Sequence, residues 1–311
     1  MKAGQITVGV VALDRILLPG GGQARGWPQR LAEGGAALAE GAEVVDLALV
    51  EAPAGVVLAR PARLGRADWP AGTPVHVDPV AGRAGLFLVR CGGKPAAVAS
   101  SFPLLPGACL PEGEPAPAQA PAGFAAGTLI DTPDGPRAAG SLTAGEVVTT
   151  LSNGSRPLRW VGRRRVAVVE MLAHPGLRPV MIAPGALGNA RDLVVAPAQR
   201  LLIDDWRAEV YFGEDRVLVP ACALVDPPAA RTGLPADGVE YVMLLCDRHE
   251  VLLAEGALSE SFHPGEEGLA ALAPEARSAL AEAVPEAELL RRRAACPILK
   301  GAEARALRLQ G

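Results

Sequence analysis

The sequence of this 311-residue chain predicts a mainly β protein with two β-rich parts and a short helical tail. Three observations support this prediction. Short apolar runs with period-two alternation recur from Ile6 to Leu253. Glycine (36 residues) and proline (29 residues) are frequent, which favours many turns over long helices. Aromatic residues make up only 4% of the chain, so Val, Leu and Ala must fill the core.

The first part, residues 1–105, is predicted to be a small β-rich domain. Its sequence does not indicate a function, and one hypothesis is that this domain carries a binding activity of its own. Short apolar runs separated by Gly- and Pro-rich turns predict its strands, at Ile6–Val10, Val44–Val50, Val56–Leu58, Leu86–Val89 and Ala97–Val98.

A proline-rich segment, residues 106–122, is predicted to be a linker between the two parts. Proline lacks a backbone donor and cannot join a helix interior or a central strand, so such a run stays extended. Its five prolines are Pro106, Pro111, Pro115, Pro117 and Pro121.

The second part, residues 123–267, carries more closely spaced strand signals. Asn153-Gly154 and Asp237-Gly238 are typical of tight turns between strands. The predicted strands are Val147–Thr149, Leu158–Val161, Arg165–Met171, Val180–Ile182, Leu193–Val195, Leu201–Ile203, Val210–Phe212, Arg216–Val219, Val239–Leu245 and Glu250–Leu253.

The last part, residues 268–311, is predicted to be a helical tail. Pro274 suits the first position of a helix and Glu275 suits its first turn. Apolar residues then recur at three- and four-residue steps as far as Val284, and Pro285 should end the helix.

Composition excludes several classes of function. The net charge of −4 and the pI of about 5.7 give no general attraction to nucleic acid or anionic membrane. No stretch reaches the length of a membrane span, and Asp14 and Arg15 interrupt the first apolar run, so no classical signal peptide is predicted. We expect a soluble protein, cytoplasmic or exported without a signal. Five scattered cysteines without a C-x-x-C pair indicate buried thiols, and neither a metal nor a cofactor is expected.

An arginine-rich run spans Arg156 to Arg165, with five guanidinium groups in ten residues. One interpretation is a patch for phosphate or an acidic partner. The alternative is a solvated strand edge that blocks strand addition. The solvated-edge interpretation is favoured, because the chain as a whole is acidic and the alternation of side chains along a strand puts only part of the arginines on one face.

Several motifs in the second part occur in the order found in one known family. They are Gly123-Phe124-Ala125-Ala126-Gly127-Thr128-Leu129-Ile130-Asp131-Thr132, Trp160-Val161-Gly162, Val194-Val195-Ala196-Pro197-Ala198-Gln199-Arg200, Asp247-Arg248-His249-Glu250, Ala254-Glu255-Gly256 and Ser259-Glu260-Ser261-Phe262. This region resembles the bacterial form of the Hint domain, the self-processing hedgehog/intein fold. The resemblance implies a twisted all-β horseshoe.

The resemblance also implies which residues would act. In that family a first-residue cysteine attacks the peptide bond before it, here Ala122–Gly123, and Gly123 stands in the cysteine's place. A glycine has no side-chain atom that can form the five-membered ring which this attack requires. Ala196 stands where a positioning Thr or Ser is expected, and Gln199 where a histidine is expected. His249 corresponds to the family's late histidine.

Two hypotheses about function follow. In the first, this copy does not process itself and serves as a folded interaction or secretion-related module with a protein partner. In the second, Cys246, Asp247 and His249 retain some autoproteolytic or hydrolytic activity. Splicing that ends by asparagine cyclisation is excluded, since the only asparagines are Asn153 and Asn189. Restoring cysteine, threonine and histidine at 123, 196 and 199 should recover some cleavage.

Overall fold

We analysed a computed structural model of the chain, which describes residues 5–17, 36–53, 55–80, 85–101, 104, 121–265, 268–269 and 272–307. The chain divides into two compact units. The first comprises residues 1–117, 166–175 and 235–238, and the second comprises 118–165, 176–234 and 239–311. Of the predicted linker, only Pro121 and Ala122 belong to the described residues.

The described residues of the first unit form one six-stranded sheet and two small strand pairs, with one α-helix. The order in the large sheet is β5-β4-β1-β10-β9-β8, and the small pairs are β2-β3 and β6-β7. The elements are β1 (Ile6–Ala12), β2 (Ile16–Leu17), β3 (Ala37–Leu38), β4 (Val45–Ala52), β5 (Gly55–Leu58), β6 (Ala62–Leu64), β7 (Ala67–Trp69), β8 (Val75–Pro79), β9 (Leu86–Cys91), β10 (Lys94–Ser100) and α1 (Val168–Ala173).

The described residues of the second unit form two larger sheets and four short helices. The sheet orders are β14-β15-β21-β11-β17-β16-β20 and β13-β12-β22-β23-β18-β19. The strands are β11 (Phe124–Ala125), β12 (Leu129–Ile130), β13 (Arg137–Ala138), β14 (Val147–Thr149), β15 (Ser155–Val166), β16 (Val180–Ile182), β17 (Leu193–Val195), β18 (Arg200–Ile203), β19 (Val217–Pro220), β20 (Ala230–Thr232), β21 (Val239–Cys246), β22 (Val251–Ala254) and β23 (Ala257–Glu260). The helices are α2 (Trp206–Phe212), α3 (Pro274–Ala283), α4 (Glu286–Leu289) and α5 (Gly301–Arg305). The predicted mainly β class with a helical tail is confirmed.

Two of the predicted strands are wrong. Val210–Phe212 belongs to α2, because Asp205 caps that helix with a hydrogen bond from Arg207 N and Gly213 ends it in the left-handed conformation. The second is Arg165–Met171, where β15 ends at Val166 and α1 follows. In both places the end of a strand or the cap of a helix, and not the apolar run, decides the secondary structure.

The strand alternation within β15 is confirmed in detail. Leu158 and Trp160 are buried, whereas Arg159, Arg163 and Arg165 are exposed. Gly162 lies on the buried face with Trp160, and a Cβ there would come within 2.0 Å of the indole ring. The Trp-x-Gly spacing therefore lets the indole lie flat over the strand.

The turn between β22 and β23 fixes the register of the segment that reaches the candidate site. Glu255 and Gly256 both have positive φ, 53° and 90°, as a two-residue hairpin of type I′ requires. The Glu255 carboxylate accepts hydrogen bonds from Leu129 N and from the guanidinium of Arg191. This anchored turn places Ser259 opposite Leu201 on β18.

The C-terminal tail packs onto the second unit at two places. Leu280 on α3, with Val284 and Leu289, joins a cluster around Trp160 and Phe262. Further on, Leu299, Ala304 and Leu307 enter the main core of the second unit. Ile298 forms a parallel bridge with Leu218, so the tail covers part of strand β19.

Candidate functional site

Gly123 is the first residue before β11, a short strand between β21 and β17 in the seven-stranded sheet. The neighbouring Phe124 pairs with Val242 on one side and Val195 on the other. The carbonyl of Gly123 accepts a hydrogen bond of 2.8 Å from Ala196 N. Position 123 is therefore buried at the end of a central strand, beside the turn that carries Ala196 and Gln199.

The backbone at position 123 has a conformation that only glycine adopts freely. Its φ is 120°, a region that side-chain-bearing residues rarely occupy. A Cβ at this position would lie 2.7 Å from the carbonyl oxygen and 3.0 Å from the carbonyl carbon of Val242. Both atoms belong to the backbone of β21, which cannot move aside as a flexible side chain can. A Cβ at position 123 would therefore have no room unless the backbone of β21 shifted.

Gln199 is a buried bridge between three segments of the second unit. Its Oε1 accepts a hydrogen bond of 2.8 Å from Gly123 N. Its Nε2 donates to Ser259 Oγ at 2.9 Å and to Glu260 O at 2.8 Å. An amide supplies both acceptor and donors here, which a neutral histidine ring in the same place would match only in part. An amide does not act as a general acid near neutral pH.

His249 is buried, and both of its ring nitrogens face other groups. Nδ1 accepts a hydrogen bond of 3.0 Å from Ala295 N, so the proton of the neutral ring is assigned to Nε2. Nε2 lies 3.1 Å from Glu260 Oε2. That carboxylate is also held by Arg200, whose Nη1 donates to Oε2 at 2.8 Å and whose backbone N donates to Oε1 at 3.1 Å.

A second histidine stacks on the first. The rings of His249 and His263 are parallel within 9°, with centroids 4.3 Å apart. Burial lowers the pKa of His263 to about 4, with further contributions from His249, Arg200 and Arg292. His263 is therefore neutral near pH 7.

Cys246, Asp247 and His249 each have different surroundings in the described part of the chain. Burial, followed by Glu250 and Asp247, raises the pKa of the Cys246 thiol to about 12, so it is not a thiolate near neutral pH. Asp247 is exposed, and its Oδ1 accepts from Arg248 N. Both nitrogens of His249 are directed at groups other than the thiol.

Sequence reasoning identified Gly123, Ala196, Gln199 and His249, and the structure places the first three side by side. Gln199 connects them to the backbone of Glu260, and the Glu260 carboxylate lies beside both His249 and Arg200. The sequence did not indicate the contacts that Ser259, Glu260 and His263 make at this site. Ser259 and Glu260 belong to a motif that carried the family resemblance, whereas none of those motifs includes His263.

No group of three or more His, Cys, Asp or Glu side chains within the described part of the chain is arranged to hold a metal. Nor does any helix in those residues have the length and apolar character needed to cross a membrane.

The all-β fold of the second unit, in which Gly123 lies beside the turn that carries Ala196 and Gln199, is consistent with the class of hedgehog/intein self-processing modules. Residues 122–266 match the model of the Hint domain family, so this part of the chain is a Hint domain. The solution structure of a bacterial intein-like domain from Clostridium thermocellum is also similar, at 14% identity. The match covers 46% of this chain and 100% of that chain, with a TM-score of 0.32, too low to add to the family match. No curated protein matches the chain.

Proposed function

We propose that this Hint domain does not cleave itself and acts as a folded interaction or secretion-related module. The observation that carries the proposal is the hydrogen bond from Gly123 N to Gln199 Oε1 at 2.8 Å. Self-processing needs a side-chain nucleophile at 123 and an acid that protonates the leaving amine. Here the first is a glycine without room for a Cβ, and the second is an amide that bridges three segments.

An exposed apolar surface on α2 supports a role in protein interaction. Trp206, Val210 and Tyr211 are 67%, 65% and 55% exposed. The chain has only four Trp and two Tyr residues, so exposing two of them on one seven-residue helix is unusual. Exposed Trp and Tyr residues are enriched where proteins bind one another.

The intact mass of the purified full chain tests the absence of cleavage. The protein is incubated with dithiothreitol, which cleaves a thioester at the 122–123 junction, and separately with hydroxylamine, which cleaves either a thioester or an ester there. We expect a single species of full mass in both. Fragments separated at Ala122–Gly123 in the absence of protease would overturn the proposal.

A positive control uses the triple variant Gly123→Cys, Ala196→Thr and Gln199→His. It restores the three chemical functions together, and we expect it to yield some fragments under the same conditions. Losses at groups that act as a unit are strongly non-additive, so Gly123→Cys alone should yield little. Full cleavage by the single variant would show that the roles given to Ala196 and Gln199 are wrong.

A further inference from the structure

A cavity of about 590 Å³ opens beside the candidate site in the second unit. Pro121 and Ala122, the residues before Gly123, form part of its wall. The volume is within the range of pockets that hold small organic molecules, roughly 300–1,000 Å³. An apolar surface covers one side, formed by Met243, Phe262, Leu272 and Ala276.

The charged groups that line this cavity are mostly positive. The described lining includes Arg163, Arg164, Arg200 and Lys300, against a single carboxylate, Glu260. Arg200 already pairs with that carboxylate at 2.8 Å, so the positive groups considered for a ligand are Arg163 and the exposed Lys300. Arg163 is held in place because its Nη2 donates to Gly140 O and Leu142 O. A fixed guanidinium loses little entropy when it binds an anion.

We propose that this cavity binds an organic anion in which a carboxylate is attached to an apolar chain. The carboxylate lies at the cationic side, near Lys300 and Arg163, and the chain lies against Met243, Phe262 and Leu272. Two sources share this chemistry, a free fatty acid and the carboxyl end of an apolar peptide. The inference goes beyond the proposed function, because binding in the cavity involves neither Gly123 nor cleavage.

Calorimetric titration of the full chain with decanoate tests the first source, and titration with the peptide acid acetyl-Leu-Val-Ala tests the second. Decanol and the corresponding peptide amide are the neutral controls. We expect one acid to bind with 1:1 stoichiometry, at least about tenfold more tightly than its neutral analogue. Failure of both acids to bind at millimolar concentration, or equal binding of acid and neutral analogue, would overturn the proposal.

Two pairs of variants locate the binding site. Lys300→Glu reverses a charge in the lining and should weaken binding of the acid at least about tenfold. Lys94→Glu makes the same charge change in the first unit, outside the lining, and should leave the affinity unchanged. Ala276→Trp should fill the cavity and abolish binding, while Ala279→Trp at an exposed position of α3 should leave it unchanged. Binding that persists in Ala276→Trp places the ligand elsewhere and contradicts the proposal. The mass measurement on the same samples reports cleavage independently, so the failure of one proposal is distinguishable from that of the other.

Discussion

The backbone N–H of Gly123 donates to Oε1 of Gln199 across 76 residues of sequence, at 2.8 Å and in the interior of the second unit. The side chain of Gln199 is therefore part of the hydrogen-bonded interior of the second unit. Its Nε2 donates to Ser259 Oγ and Glu260 O, so one amide joins the start of β11 to the end of β23. Gln199, at the position where the resemblance implies a histidine, therefore has a structural role in this protein.

Replacing Gln199 should therefore destabilise the protein. Gln199→Ala leaves the N–H of Gly123 buried without an acceptor, which costs about 1–3 kcal/mol in the free energy of unfolding. Urea unfolding followed by tryptophan fluorescence measures the change, since Trp160 is buried in the same unit. Ser152→Ala, at an exposed position of that unit, is the control and should change stability little. Equal stability of the two variants would contradict the bridging role.

A side chain at position 123 should destabilise the protein. Gly123→Ala places a Cβ 2.7 Å from Val242 O at a φ of 120°, and we expect a loss of roughly 1–3 kcal/mol in the free energy of unfolding. Gly127→Ala is the matched control, because a Cβ there meets no atom within 4 Å. If both variants have the wild-type urea midpoint, the backbone at 123 is less constrained than the structure indicates.

The same steric argument bears on restoring the nucleophile. Cysteine at 123 must shift the start of β11 away from Val242 before its sulfur can approach the preceding carbonyl. We expect the triple variant to unfold at lower urea concentration than wild type even where it recovers cleavage. Intact mass and urea unfolding of one preparation measure both, and a triple variant as stable as wild type would contradict this expectation.

Much of the fold could be predicted because its signals are local. In β15, Leu158 and Trp160 alternate with Arg159, and that spacing alone fixes which face is buried. Tight turns and the start of α3 at Pro274 are local in the same sense. At Val210–Phe212 a short apolar run predicts a strand, but the cap at Asp205 and the end at Gly213 make this segment part of a helix.

The geometry of the candidate site could not be predicted in the same way. The motif order pointed to Gly123 and Gln199, but the φ of Gly123 depends on the carbonyl of Val242, more than a hundred residues away. The parallel stacking of His249 and His263 likewise depends on how two loops meet. Such features arise from contacts between distant segments, which local spacing does not encode.

Cys246 should be chemically inert in the folded protein. Its thiol is buried, and its pKa of about 12 leaves almost no thiolate at pH 8. Brief treatment with iodoacetamide, followed by peptide mass spectrometry, should label the exposed Cys222 well before Cys246. Urea-unfolded protein is the control and should be labelled at both residues. Rapid labelling of Cys246 in the native chain would revive the hypothesis that Cys246, Asp247 and His249 have residual activity.

Acidification should destabilise the second unit through His263. Its pKa is lowered to about 4 in the folded state, whereas an unfolded histidine titrates near its ordinary value of about 6.5. Between these values the unfolded chain binds more protons, so stability is complete above about pH 6.5 and is lost as pH falls toward 4. The charged and titratable groups near the ring are left unchanged in the variant tested; they are His249, Glu260, Arg200 and Arg292.

His263→Phe keeps an aromatic ring against His249 but cannot take up the proton. The urea midpoints of wild type and variant, measured at pH 7.5 and pH 5.0, give the loss of stability in each. We expect a smaller loss in His263→Phe than in wild type. His76→Gln, at an exposed histidine of the first unit, is the control and should behave as wild type. An equal loss in His263→Phe and wild type would show that the acid sensitivity arises from other groups.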